Sequence, residues 1–485
     1  MKQRQYIDFK LYLTRTPDGT GCQVTLLPTP EIGETIMPVT VPAEKGPSTD
    51  QLAYIASKSI TLRKLVEFGK GLANWLLPAE STDDQETIRD LFVEASKRAG
   101  NEGGVRLRLI IADPALKQWP WEYTYFDPSG VGGPEAMSGF LVLNPRISMV
   151  RHEPLPHPHP VIKETGTNLD DSRIVIASAS PKTQTELNVD QEVAYITQAM
   201  RDFKVDGMRI TMVPLPNATP PEVAIALQGA GSTYVFHFAG HGGSETTKRD
   251  PFSIGKTREE GILYFLEDKD TKAEAKVRAD DLAVILQAAG VRLAVFGACS
   301  SGMRSARYPW DSVAGALAKR DIPATITMQY EVIDTHAIAF TKTFYGALAA
   351  GLSLDEAMSA GRLAMYGVSN AQVDQPGFLE WGVPVLNSRL ADGKLFPERM
   401  ERAGATAQQL RAVIQQTIDT ITETGRVVGF EGNLKNGTFE IKQKVGVVDG
   451  TLIGIQSENA TGSGTVNQEA ETVTGNLTGI VLDKL

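Results

Sequence analysis

The chain has 485 residues, of which 42% are hydrophobic and 22% charged, and its formal net charge is -10. This length suits two or three domains of ordinary size, and the composition is that of a soluble protein with a normal core. The negative charge disfavours non-specific binding to nucleic acid or to an anionic membrane, and it fits a basic ligand or substrate weakly. The sequence has no run of about 18 apolar residues that would predict a membrane span, and its first residues lack the apolar core of a signal peptide.

Cysteine and histidine usage indicates the compartment and argues against a metal site. Only two cysteines occur, Cys22 and Cys299. A secreted protein built on disulfides would usually have more, so we expect a cytoplasmic protein with a free Cys299. His157 and His159 lie in a proline-rich segment, and two histidines there make a poor metal site. The sequence also lacks a Walker-type phosphate loop, so we expect no metal and no cofactor.

The first of three segments, residues 1–165, has an α+β pattern and ends in a proline-rich linker. Alternating hydrophobic residues predict strands, and the period of 3.6 residues predicts helices. The predicted strands cover 5–13, 21–27, 105–111 and 140–143, and the predicted helices cover 51–76 and 83–99.

The second segment, residues 172–392, alternates strands and helices. This alternation, together with apolar runs such as Leu293–Phe296, predicts a mostly parallel sheet that is covered by helices on both faces. The predicted strands are 173–177, 208–213, 233–238, 261–266, 291–296, 323–328 and 381–386. The predicted helices are 187–203, 219–229, 279–289, 311–320, 335–350 and 354–366.

The third segment, residues 396–485, has a different composition. We expect an amphipathic helix at 398–423, followed by a tail rich in Gly, Thr and Val. An apolar-x-Gly-x-Leu pattern occurs three times in this tail, at 430–434, 448–452 and 473–477. Such repeats are typical of a β-solenoid or of other stacked strands. An ordinary small β-sheet and a partly disordered tail remain as alternatives.

Two glycine-lined turns carry the residues that point to catalysis. His241 follows the predicted strand 233–238, and Cys299 follows the predicted strand 291–296. The carboxyl ends of parallel strands share one edge of the sheet, where ligands bind. A histidine can take the proton of a thiol and later give one to a leaving amine. The pair predicts a cysteine peptidase, in which the amides of Gly242 and Cys299 would face the oxyanion.

Each of these residues also has an ordinary structural interpretation. A lone cysteine after an apolar strand is often a small buried hydrophobe, and a histidine after a strand is equally often structural. Their joint position beside glycines favours the catalytic interpretation. His237, two residues before Ala239 on the same strand, is expected to be a core histidine with a polar partner. The charged segment 244–260 is expected to be a solvated loop, or a loop beside the site that becomes ordered when an activator binds.

The sequence resembles a known family at several places. His-Phe-Ala-Gly-His-Gly at 237–242 and Phe-Gly-Ala-Cys-Ser-Ser-Gly at 296–302 resemble the two signature blocks of CHAT domains. These domains are caspase-like cysteine peptidases of bacteria and relatives of separase. Trp-Pro-Trp-Glu at 119–122 and Met-Gln-Tyr-Glu at 328–331 resemble further family segments, so that the resemblance extends over roughly 100–390.

The resemblance implies a caspase-like, mostly parallel sheet flanked by helices, preceded by an α+β half and followed by a small β-rich tail. It also implies that Cys299 is the nucleophile, that His241 is the general base or acid, and that the Gly242 and Cys299 amides form the oxyanion hole. Some relatives that cut after basic residues carry Asp two residues before the cysteine, a position that Gly297 occupies here.

Because Gly297 has no acidic side chain, two other aspartates remain as candidates for binding a basic residue of the substrate. Asp334 is the first candidate and Asp311 is the second. The sequence Asp-Thr-His-Ala at 334–337 equally predicts that Asp334 is the N-cap of helix 335–350. The two roles of Asp334 are compatible.

Two functions follow as expectations. The first is a cysteine endopeptidase that cuts a protein partner, with a role in bacterial antiviral defence or regulated cell death. The second is a catalytically silent scaffold that keeps the fold and assembles through its tail. In both cases residues 425–485 are expected to mediate self-association or the recruitment of an activating protein, and neither nucleic acid nor a membrane is an expected partner.

Overall fold

The fold is taken from a computed structural model. It describes residues 4–33, 37–58, 60–80, 86–128, 137–155, 172–184, 187, 189–201, 204–205, 208–229, 233–248, 257–297, 309–368, 377–395, 411–421, 426–431, 434–448, 451–457, 460–473 and 476–482. The chain divides into two compact units: one contains residues 399–485 together with 1 and 369–373, and the other contains residues 2–368 and 374–398.

The described residues up to 155 form strands and helices that surround a large aromatic core. The strands are β1 (Tyr6–Arg15), β2 (Gly21–Leu27), β3 (Met37–Pro42), β4 (Gly104–Ile111) and β5 (Ile147–Arg151). The helices are α1 (Thr49–Ala56), α2 (Leu62–Leu76), α3 (Ile88–Ala99) and α4 (Pro114–Lys117).

The described residues from 172 to 395 alternate between strands and helices, as the sequence predicts. The strands are β6 (Ser172–Ser178), β7 (Lys204–Val205), β8 (Met208–Leu215), β9 (Thr233–Ala239), β10 (His241–Lys248), β11 (Thr257–Asp268), β12 (Ala273–Arg278), β13 (Leu293–Phe296), β14 (Ala324–Met328) and β15 (Pro384–Ser388). The helices are α5 (Val189–Arg201), α6 (Pro220–Gln228), α7 (Ala279–Ala288), α8 (Pro309–Lys319), α9 (Asp334–Ala349) and α10 (Leu354–Val368).

One sheet of twelve strands runs through both of these parts, in the order β3-β2-β1-β4-β5-β15-β14-β13-β9-β6-β8-β7. The pairs around its centre, such as β9 with β13 and β6 with β9, are parallel, whereas β14 and β15 are antiparallel. The two parts meet where Arg151 on β5 pairs with Asn387 on β15. The mixed α/β fold with a large, mostly parallel sheet flanked by helices confirms the predicted fold class.

A buried polar network explains the Trp-Pro-Trp-Glu segment. Glu122 is 1% exposed, and its carboxylate accepts hydrogen bonds from both Arg151 Nε and Arg151 Nη2, at 3.1 and 2.7 Å. Gln329 Nε2 also donates to Glu122 Oε2, at 3.1 Å. A buried charge must be paired and hydrogen-bonded to be tolerated, so this motif joins the N-terminal part to the strand β14 region.

A second, three-stranded sheet extends from β9 in the order β10-β11-β12. Leu263 and Phe265 on β11 are buried in a hydrophobic cluster with α7, while Tyr264, between them, is half-buried on the other face. This is the alternation of a strand with one face on the core. The prediction of a loop over 244–260 is therefore wrong for 244–248 and 257–260, which lie in strands; residues 249–256 lie outside the described ranges.

Several boundaries differ from the sequence predictions. The predicted helix 51–76 consists of two helices, because Thr61 caps the start of α2 by accepting a hydrogen bond from the amide of Lys64. The predicted strand 140–143 contains a 3₁₀ turn at Leu141–Leu143 instead, and the strand β5 follows it. Short, apolar runs do not distinguish a buried turn from a strand.

The C-terminal unit consists of two three-stranded parallel sheets. One has the order β16 (Arg411–Ile421), β18 (Leu434–Val448), β20 (Ala460–Val473), and the other has the order β17 (Arg426–Glu431), β19 (Thr451–Ser457), β21 (Asn476–Leu482). Successive strands alternate between the sheets, so that each sheet stacks every second strand. This arrangement confirms the prediction of stacked strands.

The register of the sheet β17-β19-β21 has an interval of 25 residues, whereas β16 and β18 pair at an interval of 27 residues. Arg426 pairs with Thr451, which in turn pairs with Asn476. The glycines at 425, 450 and 475 repeat at the same interval in the sequence. The copy of the pattern at 430–434 is thus not a member of this series, since it falls at the step from β17 to β18.

The predicted helix 398–423 is wrong for 411–421, which form the strand β16; residues 398–410 and 422–423 lie outside the described ranges. This stretch is rich in β-branched residues: Val413, Ile414, Thr417, Ile418, Thr420 and Ile421. β-Branched side chains are restricted in helices and pack well on a sheet. The hydrophobic pattern alone did not reveal this preference.

Candidate active site

His241 stands at the junction of the two sheets. Strand β9 ends at Ala239, Gly240 forms a bend, and strand β10 begins with His241. A Cβ atom at Gly240 would lie 2.6 Å from the Phe238 ring and 2.8 Å from the carbonyl oxygen of Ala179, so only glycine fits here. The tight bend turns the chain out of the main sheet and leaves His241 with only 1% of its surface exposed.

Gly297 lies at the end of the adjacent strand. β13 runs parallel to β9, with Val295 opposite His237 and Phe296 opposite Phe238. The amide of Gly297 donates to the carbonyl oxygen of Phe238 at 3.0 Å, which continues the pairing to the last described residue of this segment. Cys299 lies outside the described residues, and so does everything from 298 to 308.

The predicted oxyanion-hole glycine, Gly242, lies in β10 opposite Leu263 and is buried. Its neighbour Gly243 faces Tyr264, whose hydroxyl oxygen would be 2.7 Å from a Cβ at that position. The first residues of β10 therefore pass close beneath Tyr264. The second amide of the predicted oxyanion hole belongs to Cys299, so this part of the prediction lies outside the described residues.

His237 is a buried core histidine with two polar partners. Its side chain is 0% exposed, and its Nε2 lies 3.1 Å from Oε1 of Glu192. Its Nδ1 lies 3.1 Å from the hydroxyl of Tyr345. Because the carboxylate of Glu192 can only accept, Nε2 carries the hydrogen, and Nδ1 of the neutral ring accepts from Tyr345. These contacts agree with the structural role expected for His237.

Glu192 links this network to the predicted nucleophile strand. Thr341 Oγ1 donates to Oε1 of Glu192 at 3.0 Å, the same oxygen that His237 contacts. A Cβ at Gly297 would lie 2.8 Å from this oxygen. The side chain of Glu192 comes from helix α5 and is 8% exposed, so it is a buried carboxylate that lies directly against the end of β13.

A small cavity opens at this point. It is partly open to solvent, and it is lined by Leu187, Val189, Glu192, Gly297, Asp334, Ala337 and Ile338. Asp334, predicted as a substrate-binding residue, thus lies at the cavity and close to the end of the nucleophile strand. Asp311, the second candidate, lies in the first turn of α8, and its side chain is outside the described part of the chain.

Asp334 is not the N-cap that its sequence context predicts. Helix α9 starts at Asp334 itself, and Ile333 takes the N-cap position without a side-chain hydrogen bond. An Asp in the first turn still interacts favourably with the positive end of the helix dipole. Its side chain is consequently not engaged as a cap, and it is exposed at the mouth of the cavity.

A carboxylate also lies near His241 on the face of the small sheet that points away from the core. Glu274 on β12 accepts hydrogen bonds from Thr183 and from Gln184 Nε2, the latter at 2.9 Å. Partial burial alone would raise the pKa of Glu274, but these hydrogen bonds and the charges of Lys276 and His241 outweigh it and lower the pKa. The turn after β6 is thereby tied to β12 on the same side as His241.

Sequence reasoning missed Glu192. A usable signal is present in α5, where Val189, Val193 and Ile196 form the buried stripe of the helix. Glu192 follows Val189 by three residues and therefore lies on the same stripe. A charged residue on the buried stripe of an amphipathic helix is a candidate for a functional site.

Neither a metal site nor a membrane span is found among the residues described above. No three His, Cys, Asp or Glu side chains of these ranges come together as ligands. Among the described helices, none is both long enough and apolar enough to cross a bilayer.

The solved structures that this chain resembles share little sequence identity with it. The Saccharomyces cerevisiae separase–securin complex matches in two crystal structures, each with a TM-score of 0.39 and with 10% and 9% identity. Each match covers 79% of this chain but only 30% of the separase chain. The Arg-specific cysteine proteinase gingipain R matches with a TM-score of 0.36 and 12% identity, over 71% of this chain and 70% of its own.

Comparison by sequence identifies the family. No curated protein matches the sequence significantly. The model of the CHAT domain family, in contrast, matches residues 67–418, which include both glycine-lined turns and make up more than half of the chain. This protein therefore belongs to the CHAT domain family.

Proposed function

We propose that this protein is a cysteine endopeptidase that hydrolyses peptide bonds of a protein partner. Cys299 attacks the carbonyl carbon, and His241 takes the proton of the thiol and returns one to the leaving amine. The backbone amides of Gly242 and Cys299 stabilise the oxyanion. Membership of the CHAT family and the α/β fold support this assignment.

The observation that carries the proposal is the register between β9 and β13. Val235 pairs with Leu293 and Phe238 pairs with Phe296, a constant offset of 58 residue numbers. His241 and Cys299 are separated by the same 58 residue numbers. Residues that follow two adjacent parallel strands by equal lengths of chain reach the same edge of the sheet. The register thus supports the pairing of the His241 imidazole with the Cys299 thiol.

The test is cleavage of a peptide library by the full chain and by two variants. Removal of the nucleophile in Cys299→Ala should abolish cleavage, and His241→Ala should lower kcat by about 10²- to 10⁴-fold, since a general base contributes that much. Both variants should retain the circular dichroism spectrum and melting temperature of the unchanged protein. Cleavage that continues undiminished in Cys299→Ala would contradict the proposal.

The proposed biological role is bacterial antiviral defence or regulated cell death, with activation by a protein partner. The motive for an activator is that the charged residues 249–256 connect β10, which begins at His241, to β11. A protein that binds this connection would act on His241 by shifting or ordering β10, the strand that begins with it. Expression of the unchanged gene, but not of Cys299→Ala, should reduce the growth of a host once the trigger is supplied.

The alternative function is a catalytically silent scaffold that assembles through the tail. It is favoured by the two parallel stacks, since among the described strands β16, β17, β20 and β21 each pair on one side only within their sheets. An unpaired strand edge can accept a strand from another chain. The scaffold predicts larger particles in sedimentation for the full chain than for one truncated after residue 395, and no loss of biological effect in Cys299→Ala.

A further inference from the structure

The cavity beside Gly297 combines apolar walls with two carboxylates. Leu187, Val189, Ala337 and Ile338 contribute the apolar surface, and Glu192 and Asp334 contribute the negative charge. The composition of this lining is complementary to a side chain with an aliphatic stem and a cationic end. Uncharged hydrophobic side chains would leave the carboxylates without a partner, and acidic ones would be repelled.

The charge of Glu192 is only partly compensated by the protein. Oε1 receives hydrogen bonds from His237 and Thr341, while Oε2 accepts none from the described residues. Within these ranges no lysine or arginine forms an ion pair with it. A carboxylate that is 8% exposed loses several kcal/mol of hydration, and a cation from a ligand would recover part of this.

The position of Glu192 is fixed by its neighbours. His237 is itself held by Tyr345, at 3.1 Å, and Thr341 belongs to the same helix, α9, as Asp334 at the mouth of the cavity. A ligand cation would therefore meet a preorganised anion. Preorganised charges cost little reorganisation on binding.

We propose that this cavity binds the lysine or arginine side chain of the substrate residue that precedes the cleaved bond, with Glu192 as the principal anion and Asp334 as the second. The proposal rests on the proposed peptidase function. Gly297 lines the cavity and precedes the proposed nucleophile, Cys299, by two residues in the sequence. Glu192 is the specificity-determining residue in this account, and it belongs to a different element from the one that carries the nucleophile.

The experiment compares peptides that differ only at the residue before the cleaved bond. Arginine is compared with citrulline, which has the same shape without the charge, and with glutamate. The full chain should cleave the arginine peptide at least about tenfold better than the citrulline peptide, because a hydrogen bond between charged partners discriminates to this extent. Glu192→Gln should remove most of this preference by slowing cleavage of the arginine peptide.

The choice of variants separates specificity from folding. Glutamine at 192 retains an Oε1 acceptor for His237 and Thr341, so the network should survive, and Asp334→Asn should have a smaller effect. Glu67→Gln is the matched control, because Glu67 is an exposed partner of Arg63 on α2. Glu67→Gln should cleave all three peptides at the rates of the unchanged protein.

A binding measurement distinguishes failure of this inference from failure of the peptidase function. In a Cys299→Ala background, fluorescence anisotropy should show tighter binding of the arginine peptide than of the citrulline peptide, and Glu192→Gln should abolish the difference. Efficient cleavage after neutral or acidic residues would overturn the inference and leave the peptidase standing. Selective binding of the arginine peptide without any cleavage by the unchanged protein would overturn the peptidase function and leave the inference about the cavity standing.

Discussion

The carboxylate of Glu192 occupies the space into which a side chain at position 297 would extend. A Cβ atom on Gly297 would lie 2.8 Å from Glu192 Oε1, closer than such atoms approach in proteins. Glycine at 297 is therefore a condition for the observed position of Glu192. Position 297, two residues before the proposed nucleophile, has no acidic side chain, and the Glu192 carboxylate from helix α5 occupies the adjacent space.

A first prediction is that Gly297→Ala destabilises the protein. The added methyl group must displace the Glu192 carboxylate or the end of β13, and overpacking of this kind costs about 1–3 kcal/mol of the free energy of unfolding. Urea denaturation measures the loss, and Glu192→Ala in the same chain should relieve it.

Gly315→Ala is the matched control. Gly315 lies inside helix α8, and a Cβ there would meet no atom within 4 Å. Alanine should raise the free energy of unfolding by about 0.5–1 kcal/mol, because it is the better helix former. Equal effects of the two substitutions would contradict the coupling between Gly297 and Glu192.

A second prediction is that one cysteine reacts with iodoacetamide at neutral pH. Cys22 is 0% exposed, and burial, assisted by the negative charge of Asp113, raises the pKa of its thiol to about 12. It is therefore protonated and inaccessible at pH 7, whereas a thiol activated by His241 reacts as the thiolate. Mass spectrometry of the native protein should find the label on Cys299.

The controls for alkylation are two variants. Cys299→Ala should take up no label in the native state, and His241→Ala should slow the labelling of Cys299. Labelling of Cys22 at the same rate as Cys299 would be evidence against an activated thiol.

A third prediction concerns the buried pair of Asp355 and Arg106. Arg106 Nη2 lies 2.6 Å from Asp355 Oδ2, and Ser148 donates to Oδ1 at 2.6 Å. Burial alone would raise the pKa of Asp355, but the Arg106 charge and these hydrogen bonds outweigh it and lower the pKa. A lowered pKa in the folded state stabilises the protein above the unfolded pKa, near 4, and this contribution disappears as the pH falls through the folded pKa.

Asp355→Asn should therefore cost about 3–5 kcal/mol of the free energy of unfolding at pH 7, because it leaves the Arg106 charge without its buried partner. The cost should shrink as the pH falls below 4, where the unchanged protein loses the same contribution. Urea denaturation of both proteins between pH 3 and pH 7 measures it, and a difference that stays constant over this range would show that the pair does not set the acid limit.

A fourth prediction concerns the stacked strands of the tail. Ile441 lies on the central strand β18 and pairs with both Ile414 and Val466. Ile441→Pro removes an amide that donates within a ladder and should expose the tail to proteolysis. Proline is tolerated best on an edge strand.

Val466→Pro and Asn467→Pro are the matched controls on β20, an edge strand among the described residues. Adjacent amides on a strand face opposite sides, so one of these two substitutions should leave the ladder intact. If both edge substitutions expose the tail as much as Ile441→Pro does, the order of strands is wrong.

Much of the main fold could be predicted from the sequence. The strands β1, β2 and β4 and the alternation from β6 to α10 follow from hydrophobic periodicity, because a half-buried strand or helix must repeat its apolar residues at a fixed interval. Strand β16 could not be found this way, since its apolar residues also fit a helical stripe. Its β-branched composition was the better guide.

The sequence by itself determined the candidate pair, since His241 and Cys299 each follow an apolar strand and stand among glycines. It also determined that position 297 carries no charge. Only the tertiary structure decided what replaces that charge, because Glu192 is 105 residue numbers away from Gly297 and reaches it through the packing of α5 against the sheet. Periodicity reports which face of a helix is buried, but the partner that this face meets depends on the order of strands in the sheet.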